Sequence, residues 1–350
     1  MITGLASFDR QRLGDLIASF PKLRVAVLGD FFLDKYLEVD SHLAEKSLET
    51  GKTAHQVVAV QHSPGAAGTV VNNLVALGVR SLMAIGFTGD DGEGYELRKD
   101  LEALGVDLSH LHTDAIRCTP TYTKPREAKR PGLRGEHERY DIKNRTPTPL
   151  VMENSILASL DAVLGDIDVL LIMDQVEDEN CGVLTRRVIG ELSSRLAKHA
   201  SLVALADSRR RILQYRGPIL KMNQFEMVGI NNPKPGTMLE DEIIQREVPI
   251  LEKQIGSAVF ITAGERGVWI GGPRPALVPS PLVPPPVDPT GAGDSFSAGA
   301  SLSLAAGASF AEAALVGNLV ASVTVRKLGT TGTANRHEIL EAFELWKEQQ

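Results

Sequence analysis

Short apolar runs of strand length alternate along this chain with longer stretches in which apolar residues recur at helical spacing. Leu13, Leu16, Ile17 and Phe20 share one face of a helix over residues 8–20, whose polar positions include Asp9, Arg10, Arg12 and Asp15. Leu23–Leu28 follows as an apolar run closed by Gly29-Asp30 and reads as a buried strand. Ser81–Ile85, Ile167–Met173, Leu202–Ala206 and Ala258–Thr262 repeat that pattern. Between them the spacing predicts helices near 66–77, 92–104, 150–164, 181–199 and 238–255. Alternation of this kind predicts an α/β fold, a mostly parallel sheet with right-handed crossovers and helices on both faces.

Two stretches break the alternation. Residues 35–62 are polar, with β-like pieces such as Gln56–Val60, and residues 117–141 open with Thr119, Thr121, Tyr122 and Thr123 before turning basic. One reading makes them β insertions that form a small lid sheet over a site; the other makes them surface excursions. The proline-rich run from Pro273 to Pro289 contains two short apolar pieces, Ala276–Val278 and Leu282-Val283, which read as proline-broken edge strands. It leads straight into a glycine-rich motif, so it reads as connecting structure, and residues 1–350 as a single domain.

Composition narrows the class. Hydrophobic residues make up 43% of the 350 positions and charged residues 23%, an ordinary globular balance. The formal net charge of -7 argues against a nucleic-acid partner. Cys118 and Cys181 stand outside any CxxC or Cys/His cluster, which predicts reduced thiols and no zinc. No segment approaches the roughly 20 apolar residues that cross a bilayer, and the N-terminal helix is amphipathic, unlike a signal peptide. A cytoplasmic protein without a membrane partner is expected.

The candidate chemistry concentrates in Asp288-Pro289-Thr290-Gly291-Ala292-Gly293-Asp294, followed by the small-residue run Ser295–Ala300. A Gly-Ala-Gly turn that opens a helix presents unpaired N–H groups and the positive end of the helix dipole, a ready anion site. Glycine lets the backbone approach phosphate oxygens. Asp294 beside such a site has two readings. It can cap the helix, or it can take the proton from a hydroxyl attacking the bound phosphoryl group.

This motif resembles the C-terminal signature of the ribokinase (PfkB-type) carbohydrate kinases, and it does not stand alone. Gly86-Phe87-Thr88-Gly89-Asp90-Asp91-Gly92 is similar to the family's turn after a strand. Val27-Leu28-Gly29-Asp30, with Asp34, resembles its first strand and sugar-binding carboxylate, and Thr262–Gly267 its nucleotide loop. Asn223-Gln224-Phe225-Glu226 is similar to its Asn-x-x-Glu magnesium motif. The order is the family's, over about residues 23–335. Asp207-Ser208-Arg209, Tyr215-Arg216-Gly217 and Arg326–Thr331 bring the heptose-7-phosphate kinases of ADP-heptose synthesis nearest. In that subfamily a nucleotidyltransferase domain is often fused behind the kinase. This sequence stops soon after a helix, so the second activity is expected to be absent.

The resemblance implies an ATP-dependent kinase acting on a small sugar or sugar phosphate. Asp294 would be the base, with the amides of Gly291, Ala292 and Gly293 around it and the Ala292, Gly293 and Asp294 amides holding the γ-phosphoryl. Asn223 and Glu226 would organise Mg²⁺; by residue type alone, without the surrounding motifs, an ordinary solvated turn suits them better. Thr262, Gly264, Gly267 and Asn318 would line the nucleotide, although Asn318 also suits a solvated helix face. A monovalent cation such as K⁺ would sit near Asp288 and the Val325–Thr330 loop. Asp34, Asp30, Gly65 and Thr69 would meet the sugar, with Asp30 alternatively a structural cap. In Gly65–Thr69 the family's second Gly is Ala66 and its Asn is Thr69, which leaves the sugar open. Lys124, Arg126, Lys129, Arg130, Arg134 and Arg139 form either a solvated basic loop or a site for a phosphate on the sugar. A homodimer through the lid is also implied. A non-catalytic binding protein of the same fold and a nucleoside kinase are the competing readings. A dinucleotide enzyme is not, because Gly29-Asp30-Phe31-Phe32 replaces the Gly-x-Gly-x-x-Gly fingerprint.

Overall fold

The computed structural model describes residues 5, 7–129, 135–230, 232–234, 236–272, 274–329 and 331–350. Arg130, Arg134, Pro273 and Thr330, all named above, lie outside the described residues. The helix α1 (Arg10–Ser19), capped by the Asp9 carboxylate on the Arg12 N–H, leads into β1 (Arg24–Gly29) and β2 (Phe31–Val39). Two short strands, β3 (Glu45–Lys46) and β4 (Thr53–Ala54), pair before β5 (Val57–Ala66) and α2 (Ala67–Ala76). Then come β6 (Ser81–Gly89), α3 (Gly92–Ala103), β7 (Asp107–Asp114), β8 (Thr121–Glu127), β9 (Tyr140–Ile142), α4 (Leu150–Val163) and β10 (Val169–Asp174). The second half adds α5 (Arg186–Leu196), β11 (Val203–Ser208), β12 (Ile219–Asn223), α6 (Gln224–Met227), α7 (Asp241–Ile255), β13 (Val259–Thr262), β14 (Gly267–Ile270) and β15 (Ala276–Pro279). Three helices close the chain: α8 (Ala292–Ala305), α9 (Phe310–Thr324) and α10 (Arg336–Glu348).

The large sheet has the order β15-β14-β13-β12-β11-β10-β1-β6-β7, parallel from β13 to β7 with β14 and β15 antiparallel at one edge. Its strands are apolar on both sides because both sides are covered. In β1, Val25 and Val27 pack into one core with α1, α2, α8 and α9, while Ala26 and Leu28 pack into a second with α4, α5 and α7. Successive crossovers run from β1 towards β7 and from β10 towards β13, so the direction of winding reverses between β1 and β10. Ligands bind outside the carboxyl ends of the strands at such a reversal.

A smaller sheet has the order β5-β2-β8-β9. The two stretches that break the alternation meet here: β2 pairs with β5, Asp34 opposite Ser63, and with β8, Asp34 opposite Tyr122. The helix expected over 181–199 begins only at Arg186, because Cys181–Leu184 are buried as a bend tied by the Val183 N–H to Asp30. Ala276–Val278 is a strand as expected, but Leu282-Val283 is not. Prolines at 281, 284 and 285 remove the donors a ladder needs, and the Leu282 N–H goes instead to the Gln349 side chain at 2.8 Å.

Helices α8 and α9 touch almost backbone to backbone. A Cβ on Gly299 would lie 2.7 Å from Val320, and one on Gly317 would lie 2.6 Å from Phe296. The buried hydroxyls of Ser295, Ser297, Ser301 and Ser303 return to carbonyls four residues back, so the helix buries polar residues without orphaned donors. That packing fixes the N-terminus of α8 against the sheet.

Candidate active site

Gly291 is the N-cap of α8 with φ 77°, a conformation that favours glycine, and it offers no side chain to cap the helix. The Ala292 N–H donates to Pro289 O at 3.1 Å, and the Ser295 N–H to Gly291 O at 2.9 Å. Ala292 is therefore not a free donor, which corrects the set of three amides expected from the sequence. The N–H groups of Gly293 and Asp294 make no hydrogen bond among the described residues and remain for an anion.

Asp294 stands in the first turn of α8, partly exposed at the surface but enclosed by protein on its other sides. It accepts no backbone cap, so the capping reading finds no support. Burial first, and then the charge of Asp207, push its carboxyl up to about 7 against the pull of Lys221 and Arg209. Lys221, on β12, reaches Asp207 at the end of β11 at 2.7 Å, and both are buried. Burial pulls the Lys221 ammonium down, but Asp207, Asp294 and Glu226 hold it above the ordinary lysine value. Sequence reading gave neither Lys221 nor Asp207 a role. The available signal was a lone lysine inside the apolar run Ile219-Leu220-Lys221-Met222.

Asn223 and Glu226 form a capping box. The Asn223 side chain accepts the N–H groups of Phe225 and Glu226 at 2.9 Å each, and one Glu226 oxygen accepts the Asn223 N–H at 2.7 Å. The second Glu226 oxygen has no protein hydrogen bond among the described residues. Burial raises the Glu226 carboxyl, partly offset by the Asn223 N–H. Among the described residues no group of three His, Cys, Asp or Glu could hold a metal alone. That donor set fits Mg²⁺ arriving on a nucleotide with most of its waters, since oxygen ligands and water suit it.

Thr262, Gly264, Gly267 and Asn318 line one cavity of about 250 Å³ together with Ala292 and Gly293. Phe296, Val283, Val287 and Ala321 supply its apolar wall. Gly264 has φ 63° and Gly267 φ 111°, and a Cβ on Gly267 would overlap Val278 O, so the turn between β13 and β14 admits only glycine there. Asn318 is buried, which corrects the solvated-face alternative, and its amide donates to Val278 O at 2.8 Å.

On the opposite side, Asp30 is enclosed. One oxygen accepts the N–H groups of Gln175 and Val176 at 2.8 and 3.1 Å, the other accepts Val183 N–H at 2.7 Å. Burial, with Asp174 nearby, pushes it up to about 6. Its lone pairs are spent on the backbone, so the structural alternative fits and a sugar contact does not. Asp34 is different. It lies against Gly65, where a Cβ would come within 2.9 Å of its carboxyl carbon, and pairs with Lys124 at 2.9 Å. Lys124 and Arg126 lie over the Tyr36 ring at 5.1 and 4.7 Å, and Arg139 over Tyr122 at 4.1 Å. Arg126 also bonds Glu38 and, at 3.1 Å, the Gly329 carbonyl. Lys129 pairs with Asp40, away from Asp34.

The two sides meet at a turn. A Cβ on Gly291 would lie 3.2 Å from Thr331 and 3.3 Å from Thr69, so the Gly65–Thr69 turn joins the Asp34 side to the anion site. Ala66 holds φ 53°, ψ −116°, a conformation in which alanine is strained and glycine is not. Asp288 accepts the Thr290 N–H at 3.0 Å and donates its own N–H to Val325 O at 2.8 Å. In the Gly86–Gly92 motif, Asp91 caps α3 through the Gly94 N–H and anchors the Thr119 N–H ahead of β8, a structural role.

Comparison with known proteins agrees with this layout. Residues 205–336 match the family described as pfkB family carbohydrate kinase. The chain is 30% identical over 337 residues to the bifunctional protein HldE of Geotalea uraniireducens, covering 95% of this chain and 65% of that protein. It is 29% identical to HldE of Citrifermentans bemidjiense, covering 95% and 66%. The chain thus spans slightly less than two thirds of the length of these relatives. Arabidopsis thaliana ribokinase complexed with ribose and ATP superposes with a TM-score of 0.68 at 18% identity, over 92% of this chain and 99% of the other. Escherichia coli phosphofructokinase-2 in complex with potassium gives 0.69 at 16% identity, over 93% and 99%. Among the described residues no helix is long and apolar enough to cross a membrane. Matched by the pfkB family carbohydrate kinase description over residues 205–336, similar to HldE over most of its own length and ribokinase-like in fold, the chain resembles these kinases in sequence and in architecture.

Proposed function

We propose that this chain transfers the γ-phosphoryl group of ATP to a hydroxyl of a small sugar or sugar phosphate, in the cytoplasm, with Asp294 as general base. The observation that carries the reading is Asp294 itself: a carboxylate raised to about 7, beside two unspent amides, directly after Ala292 and Gly293, which line the same cavity as the nucleotide-loop residues. The Asp294 carboxylate takes the hydroxyl proton as the sugar oxygen bonds to the γ-phosphorus. The bond from that phosphorus to the bridging oxygen breaks, and ADP leaves with the electron pair. The Gly293 and Asp294 N–H groups hold the phosphoryl oxygens meanwhile. Mg²⁺, held by way of Glu226, would supply charge neutralisation on the β- and γ-oxygens. Asp288 and the Val325–Gly329 carbonyls are the place for a monovalent cation.

Asp34 would orient the sugar across the Gly65–Thr69 turn. Its pairing with Lys124 favours an acceptor that already carries a phosphate, because such an acceptor offers Lys124, Arg126 and Arg139 an anion of its own. The small sheet would act as lid. Its edge strand β5 exposes Val57, Val58 and Val60, which suits a homodimer made through that edge. The test is an ADP-release screen over sugars and sugar phosphates, with Asp294→Asn as the blank. Turnover of at least one acceptor by the wild type alone is expected. Equal efficiency on a sugar and its phosphate would remove the phosphate subsite from the reading, and no turnover of any acceptor would remove the kinase reading.

A further inference from the structure

Lys221 is the one buried lysine among the described residues. An ammonium has three N–H donors, and among the described residues Lys221 spends one, on Asp207. Its Nζ fills the space where a side chain of residue 293 would begin, since a Cβ on Gly293 would overlap it. Gly293 sits inside α8 and has no positive φ, so backbone freedom does not explain a glycine there; the lysine does. The ammonium therefore lies against the same turn that lines the cavity with Ala292 and Gly293.

The charges around it point the same way. Asp207, Asp294 and Glu226 bring three carboxylates to this corner, against Lys221 and Arg209. A polyphosphate entering here meets net negative charge unless a cation turns towards it. We propose that Lys221 is a further catalytic residue, donating from β12 to the transferring phosphoryl group while Asp207 holds the ammonium in position. This rests on the reading of the α8 N-terminus as the phosphoryl site. The competing role is a strut, an ion pair that merely ties β11 to β12.

The two roles separate in nucleotide binding. Wild type, Lys221→Met and Lys221→Gln are titrated calorimetrically with ADP and with the β,γ-imido analogue of ATP, both with Mg²⁺. A phosphoryl contact predicts that the substitutions weaken the analogue about 100-fold while ADP stays within about threefold. Lys221→Gln keeps a hydrogen-bond donor for Asp207, so it carries the comparison if Lys221→Met does not fold. Equal losses for the two nucleotides, or no loss for either, would overturn the assignment of Lys221 and leave the phosphoryl site standing. If the wild type binds neither nucleotide, the phosphoryl site falls as well, and Lys221 with it.

Discussion

The two flanks of the candidate site are built from different materials. The flank proposed for the nucleotide is made of backbone: the α8 N-terminus, the glycines of the β13–β14 turn, and the Val278 carbonyl that holds Asn318. The flank proposed for the acceptor is made of side-chain charge on the small sheet, with Asp34 on Lys124, Glu38 on Arg126, and both cations over Tyr36. Main-chain donors held by helix packing cannot relax when a ligand leaves. A carboxylate paired to a lysine can exchange partners. The nucleotide flank is thus fixed in shape, and the acceptor flank can be set by what enters it.

The largest effect should come where the flanks meet. Asp294→Asn is expected to lower kcat by about a thousandfold, with ATP affinity within a few-fold of wild type in the same calorimetric assay. A comparable loss of ATP binding would mean that Asp294 belongs to the nucleotide flank alone. Gly267→Ala should break the backbone-built flank. Its Cβ overlaps Val278 O at φ 111°, so a loss of roughly 2–4 kcal/mol of stability is expected, read from denaturant melts. Asp34→Asn should touch only the charge-built flank, raising the acceptor KM about 10- to 100-fold with ATP binding unchanged.

The pH dependence sharpens the same contrast. Asp294 must be ionised to act as base, so kcat/KM should fall about tenfold per unit below its raised value of about 7. The stability effect runs the other way. Between the ordinary carboxylate range and about pH 7, the folded chain binds a proton that the unfolded chain does not. Stability therefore falls as pH rises through that window. Asp294→Asn should accordingly melt above wild type at pH 8, with the gap narrowing by pH 5. The smallest effect is expected at the joint: Ala66→Gly, which relieves φ 53°, should gain about 0.5–1 kcal/mol.

Much of the nucleotide flank was legible in the residues, because an anion cradle made of amides needs only a local pattern. Gly-Ala-Gly-Asp before a small-residue helix, and the glycines of Thr262–Gly267, announce their geometry within a few positions. Even so, local pattern overcounted the donors, since the Ala292 amide turns back to Pro289. The acceptor flank was much less legible. Six basic residues in residues 124–139 read more readily as a solvated loop than as a phosphate site; only pairing of β8 with β2 sets Lys124 beside Asp34 and Lys129 beside Asp40 instead. The part of Asp30 was likewise undecided until Gln175, Val176 and Val183 were brought to it from distant parts of the chain.

The sequence by itself determined the alternation of strands and helices, and with it the parallel sheet. It also determined the glycine-rich turn at the start of α8 and the identity of the carboxylate placed there. These follow from periodicity and from what glycine and a helix end can do, which are local properties. Only the tertiary structure decided the charge environment of Asp294, the pairing of Lys221 with Asp207, and the engagement of Asp34 by Lys124. Those depend on which strands lie side by side and how deeply each is buried, and strand order is a property of the whole sheet.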